Sequence, residues 1–149
     1  MAQLQSEETR KVAALLGGRA VFRGGITDAG QMLEVVRKGL PYAALEALVR
    51  VIEVGSGEVT RLLGVAPRTL ARRKVARRLA PAESDRLYRL AYMTLLASEV
   101  LGSLGKAKSW LSQPNRALAG TAPLQLLDTE IGERQVEEVL ERINHGIFS

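Results

Sequence analysis

The chemistry available to this chain is concentrated in its cations. Between Arg61 and Arg78 stand seven basic residues (Arg61, Arg68, Arg72, Arg73, Lys74, Arg77 and Arg78) and no acid. Guanidinium forks at that density suit two acceptors: phosphate oxygens, and the O6/N7 edge of guanine, which arginine takes bidentately. Arg68 and Arg72, with Thr69 beside them, are expected to face a groove floor. Arg73, Lys74, Arg77 and Arg78 flank them and suit phosphates, which supply salt-dependent affinity without reading sequence. A basic, solvated helix face is the plain alternative. Catalytic chemistry is poorly supplied. There is no cysteine and a single histidine, His145, so a thiolate metal site is excluded and neither a zinc cage nor a histidine dyad can be assembled. Glu133, Glu137 and Glu141 recur at i, i+4, i+8 and align on one helical face. Without histidines at matching spacing they read as a solvated or partner-facing surface rather than a di-metal site. No glycine-rich phosphate loop joins a strand to a helix. The expectation is a binding protein with no catalytic residue, no metal, no cofactor and no small-molecule substrate.

The elements that must position these cations follow from the apolar pattern. No β-branched run alternates with polar residues, while 3.6-residue periods recur, so an all-α fold is expected. Val59, Leu62 and Leu63 form an i, i+3, i+4 stripe on a short helix capped by Ser56. Gly64 supplies a sharp turn, and Pro67 opens the next helix where its missing N–H costs nothing. This is a helix–turn–helix over about 58–78, locked by Val59, Leu62, Leu63, Val65 and an inward Leu70. In such a motif the first helix braces and the second lies in the major groove. Upstream, helices are expected from a Ser6 cap to about Leu16, from a Thr27 cap to near Gly39, and from Pro41 through Val54, with 20–25 a loose arm. Downstream, Pro81 opens a long helix to about Leu101, apolar on more than one face.

The Gly102–Gly105 break divides the chain into a DNA-binding domain over 1–101 and a second domain over 102–149. A last helix runs from about Glu130 to Asn144, with Val136, Val139, Leu140 and Ile143 inward. Gly146 stops it and leaves Ile147, Phe148 and Ser149 as a tail that either seats in a partner or folds back on its own core. Trp110 is expected to be buried and structural.

Bulk properties agree with this organisation. The 149 residues are 46% hydrophobic and 25% charged, with a net charge of +5, as in a soluble globular protein. The charge is split: residues 58–78 carry seven bases against one acid, whereas 127–149 carry two bases against six acids. Two different partners are implied. The N-terminus has no signal-peptide core. The apolar stretch Leu87–Leu101 is interrupted by Arg89, Thr94, Ser98 and Glu99 and cannot span a bilayer. A cytoplasmic protein is expected.

The residues after Trp110 carry a resemblance. Trp110-Leu111, Pro114-Asn115, Ala117-Leu118, Gly120, Pro123-Leu124, Leu126-Leu127, Thr129, Gly132, Val136, Leu140, Ile143 and Gly146 resemble the toxin-binding domain of the MbcA/ParS/Xre antitoxins. The segment GVAPRTLARR followed by LAPAESDRLYRLA is similar to the Xre-type helix–turn–helix that precedes it. The match covers about Glu58 to the C-terminus. It implies the antitoxin of a type II toxin–antitoxin pair, whose partner is a RES-domain toxin that degrades NAD⁺. It also implies a homodimer that binds its own operator DNA and blocks the toxin's active-site cleft with its C-terminal end. Carried onto this chain, the blocking tail is His145, Gly146, Ile147, Phe148 and Ser149, with Glu138, Arg142 and Asn144 adding contacts. The chain departs from the family at Ala66 and Ala80, where serine often caps the following helices, a loss of about 1 kcal/mol each. A stand-alone helix–turn–helix regulator without a toxin is the alternative reading.

The two classes of cation are separable. Arg72→Ala is expected to weaken specific DNA binding by about 1–3 kcal/mol, whereas Arg77→Ala chiefly lowers the slope of affinity against salt. Band shifts that neither substitution moves would remove the assignment.

Overall fold

The glycine-punctuated apolar periods fold as helices throughout. A computed structural model describes residues 2–146, without the side chains of Ala2 and Leu4; Ile147, Phe148 and Ser149 lie outside the described residues. The helices are α1 (Ala2–Leu15), α2 (Ala29–Lys38), α3 (Tyr42–Ile52), α4 (Ser56–Leu63), α5 (Pro67–Ala76), α6 (Pro81–Leu101), α7 (Leu104–Ser112) and α8 (Glu130–Asn144). Short 3-10 turns occupy Gly18–Ala20, Arg116–Leu118 and Pro123–Leu126. Among the described residues the only β pairing is two isolated bridges, Pro41 with Arg78 and Asn115 with Thr121. No described helix is long and apolar enough to cross a membrane.

Several helix starts differ from the sequence expectation, each for a local reason. Ser6 lies inside α1, which begins at Ala2. The cap of α2 is Asp28 rather than Thr27: its carboxylate accepts the Gln31 N–H at 2.9 Å. Thr27 instead donates both its N–H and its hydroxyl to the Gln31 side chain, the reciprocal half of a capping box set back by one residue. Ser56 is the first residue of α4, and Gly55 stands uncapped before it. Pro41 precedes α3, which ends at Ile52 with Glu53 in the left-handed region at φ 53°. The 20–25 arm is not loose. Phe22 is buried, its N–H donates to the Gly18 carbonyl, and its own carbonyl accepts from Gly25. One aromatic side chain is enough to anchor a segment with no periodicity to reveal it.

The described residues divide into two compact units between Ala91 and Tyr92, inside α6, where the sequence places the division after Leu101. In the first unit α1 packs on α2 and α3, and α4 on α5. Its core is aliphatic, with Val12, Leu16, Leu40, Leu48, Leu79 and Leu87 fully buried. In the second, α8 packs on both the Arg116–Leu118 and Pro123–Leu126 turns, and α7 on the latter. Leu111, Val136 and Leu140 are its buried centre, while Trp110 is only half-buried.

Gly132 decides how closely α8 approaches. It is buried in the first turn of α8, where the Thr129 hydroxyl accepts its N–H at 3.0 Å. A Cβ at this position would stand inside the van der Waals radius of the Leu126 carbonyl oxygen. Alanine elsewhere in a helix gains roughly 1 kcal/mol over glycine. Here the overlap outweighs that gain, and Gly132→Ala is expected to destabilise the protein by about 1–3 kcal/mol. A melting temperature that stays level or rises in this variant would show that the approach is not so tight.

Candidate functional site

The helix–turn–helix forms where the sequence places it. Gly64 adopts φ 68° and ψ 36° between α4 and α5, and a Cβ there would collide with the Arg86 guanidinium. Val59, Leu62 and Leu63 are buried beneath the turn. The second helix differs from expectation in how little it buries. No residue of α5 is fully buried; Thr69, Leu70 and Arg73 are half-buried, and Val65 before them likewise. Arg68, Ala71, Arg72, Lys74, Val75 and Ala76 are exposed, as are Arg77 and Arg78 after the helix. Thr69 therefore lies toward the supporting side, one step behind the face that carries Arg68 and Arg72.

With so little apolar burial, α5 is held by polar ties. The Arg73 guanidinium donates from Nε and Nη2 to the two oxygens of Glu83 at 2.9 and 3.1 Å. The Glu83 side chain is 8% exposed and that of Arg73 is 29% exposed. Oxygen Oε1 of the same carboxylate accepts the Ala80 backbone N–H at 2.9 Å. Glu83 thus supplies the carboxylate half of a capping box, accepting the N–H of Ala80 ahead of α6, and ties α6 to α5 at once. Arg73, expected among the phosphate contacts, has its fork committed inside the fold.

The next residue, Ser84, is fully buried and accepts the Leu40 N–H at 2.7 Å. The segment after α5 is pinned by a further pair, Tyr42 N–H to the Arg77 carbonyl at 3.1 Å and Leu79 N–H to the Leu40 carbonyl at 2.9 Å. Arg77 ends α5 in the left-handed region at φ 61°, a conformation glycine usually fills. At the N-terminus of α5, Ala66 provides no side-chain acceptor, as expected.

The electrostatics separate the tied cation from the free ones. Burial pushes the Glu83 carboxyl up, but the Arg73 hydrogen bond, the Ala80 N–H and the charges of Arg73 and Arg72 outweigh it and hold the carboxyl below its ordinary value. Arg73 is raised by the same hydrogen bond. Arg61 pairs with Glu58 within α4. Among the described residues, no salt bridge joins Arg68, Lys74, Arg77 or Arg78 to an acid. The outer face of α5 is a concentration of unneutralised positive charge.

The second unit carries a different surface. Glu138, Arg142, Asn144, His145 and Gly146 are all exposed on or just after α8. Ile131, Gln135, Glu138, Arg142 and His145 follow one another at spacings of four and three, a single outward stripe. Beside this stripe lies a groove of about 390 Å³ lined by Ala117, Ala119, Thr121, Gln135, Glu138 and Arg142 among others. No cluster of metal-ligating side chains occurs among the described residues. Sequence reasoning missed Ile131, which is 76% exposed; the signal was an apolar residue off the Val136-Val139-Leu140-Ile143 stripe. It also missed Glu83, whose signal was its place three residues after the Ala80 cap position.

Comparison with known proteins identifies two domains. Residues 31–92 match the model of the antitoxin Xre-like helix-turn-helix domain. Residues 96–146 match that of the antitoxin Xre/MbcA/ParS C-terminal toxin-binding domain. The protein named Antitoxin Xre of Pseudomonas putida is 50% identical over 64 residues, which is 43% of this chain and 40% of that protein. Antitoxin Xre of Yersinia enterocolitica is 29% identical across 79% of this chain and 81% of its own length. Antitoxin Xre of Photorhabdus laumondii is 30% identical across 77% and 79%.

The Glu83 tie predicts a pH dependence. Its folded pKa lies below the ordinary value of 4.5, so its stabilisation is complete above that value and is lost as pH falls through the folded pKa. Glu83→Gln is expected to cost roughly 1 kcal/mol at neutral pH, since an amide keeps the shape but not the charge-assisted bonds. The deficit against wild type, read by thermal unfolding from about pH 7 to about pH 3, should shrink toward the acid end. A deficit that stays constant across that range would place the effect in packing instead.

Proposed function

The chain belongs to the Xre/MbcA/ParS antitoxin family, and from that premise we propose that it is the antitoxin of a type II toxin–antitoxin pair whose toxin is a RES-domain, NAD⁺-degrading protein. Its action on the toxin is steric. The exposed end of α8, with Glu138, Arg142, Asn144, His145 and Gly146, docks on the toxin and delivers Ile147, Phe148 and Ser149 into the cofactor cleft. An apolar pair following the exposed end of a helix suits a ligand-binding cavity, and no chemistry by the antitoxin is required.

Its action on DNA is repression of its own operon in the cytoplasm. A homodimer sets two α5 helices about one duplex turn apart on a palindromic operator. Arg68 and Arg72 take base edges, Lys74, Arg77 and Arg78 take phosphates, Thr69 lies one step behind, and Arg73 positions the helix through Glu83. The observation that carries this reading is that each compact unit presents its own unpaired surface: bare cations on α5 in one, the exposed α8 stripe in the other. A regulator without a toxin has no use for the second.

Two measurements test it. Deleting Ile147–Ser149 is expected to restore growth arrest when the neighbouring toxin frame is co-expressed, with promoter band shifts unchanged. Arrest that does not return would move the blockade away from the tail. Purification of the full chain with its neighbouring frame should yield a tight, stoichiometric complex; a lone antitoxin would favour the stand-alone regulator.

A further inference from the structure

Val75 is 85% exposed, further into solvent than Ile131, Leu33 or Leu104 on the described surface. It stands one turn after Ala71 and Arg72 and two turns after Arg68 on the outward face of α5. Nothing in the fold gains from it there. A β-branched side chain is a poorer helix former than the alanines beside it, and its methyl groups meet only water. The surroundings define what it can meet instead. Arg68, Arg72 and Lys74 share the exposed surface, and Arg77 and Arg78 follow. Such a charged collar repels an apolar protein patch but matches the phosphates that line a DNA groove. On the floor of the major groove, the one apolar group a base pair presents is the thymine C5 methyl.

We infer that Val75 reads a thymine methyl, so the operator half-site pairs a specified thymine with the guanine taken by Arg68 or Arg72. This rests on the DNA-binding reading above. The spacing follows from helix rise. Three residues separate Arg72 from Val75, about 4.5 Å, and seven separate Arg68 from Val75, about 10 Å. The thymine therefore lies roughly one base-pair step from a guanine under Arg72 and roughly three from one under Arg68.

The methyl itself is the test, because it can be removed from the DNA without altering base pairing. The region upstream of the chain's own reading frame is footprinted with the full-length protein. Each thymine in the protected duplex is then replaced singly by deoxyuridine. At one thymine in each half-site, wild type is expected to lose about fourfold in affinity, the worth of one buried methyl. The Val75→Ala variant should bind the natural duplex more weakly and be indifferent to that same replacement.

If no thymine is sensitive, or the sensitivity persists in Val75→Ala, the inference fails while DNA binding stands. A Val75→Ala protein with an altered oligomeric state by sedimentation would assign the residue to a protein contact and overturn it. Absence of any protected region would sink the DNA-binding reading itself, and this inference with it.

Discussion

Glu83 closes a three-way junction: it receives the Arg73 fork from α5, the Ala80 N–H at the start of α6, and precedes Ser84, whose hydroxyl accepts the Leu40 N–H ahead of α3. The recognition helix depends on that junction because it buries no residue fully. A helix of ten residues is too short to be stable in water on its own propensity. Its orientation must come from tertiary ties, and the strongest of these are charge-assisted hydrogen bonds that Arg73 donates to a carboxylate with little access to water. The same carboxylate also accepts the Ala80 N–H at the start of α6, so one side chain performs two jobs.

The arrangement also explains how a dense cationic segment coexists with a stable fold. Arg61 and Arg73 are neutralised internally, by Glu58 and Glu83. Arg68, Lys74, Arg77 and Arg78 are left without an acidic neighbour in the described fold. Their mutual repulsion is tolerated because they project into water, where it is screened over about 10 Å at ordinary salt. A polyanion that replaces that screening relieves the repulsion, which is why such a surface favours a duplex. In the second unit the governing constraint is different. Gly132 lets α8 sit directly on the Leu126 carbonyl, and this close seat leaves Ile131, Glu138, Arg142 and His145 facing outward together.

How much of this was legible beforehand varies with the kind of interaction. The helix–turn–helix, the Gly64 turn, Pro67 at the start of α5 and the span of α6 and α8 could be read from local rules: periodicity, proline position and glycine at positive φ. Helix starts were less legible, since Thr27, Asp28 and Ser56 are all plausible caps and only geometry selects among them. The burial of Phe22 carried no periodic signal. An inward Leu70 turns Thr69 outward beside Arg68 and Arg72. With Leu70 only half-buried, the helix turns enough to draw Thr69 back.

Chain chemistry by itself determined the class of the protein: helical, basic in the middle and acidic at the end, with motif blocks in the order of an antitoxin. Those properties follow from composition and short-range spacing, which need no partner across the fold. Which arginine is free and which is tied was decided only by tertiary structure. Arg72 and Arg73 are adjacent and chemically identical, yet a 100° rotation along the helix sends one to solvent and the other to a carboxylate ten residues downstream. Pairing across sequence is a property of the packed chain, and it alone separates an arginine left in solvent from one tied to a carboxylate.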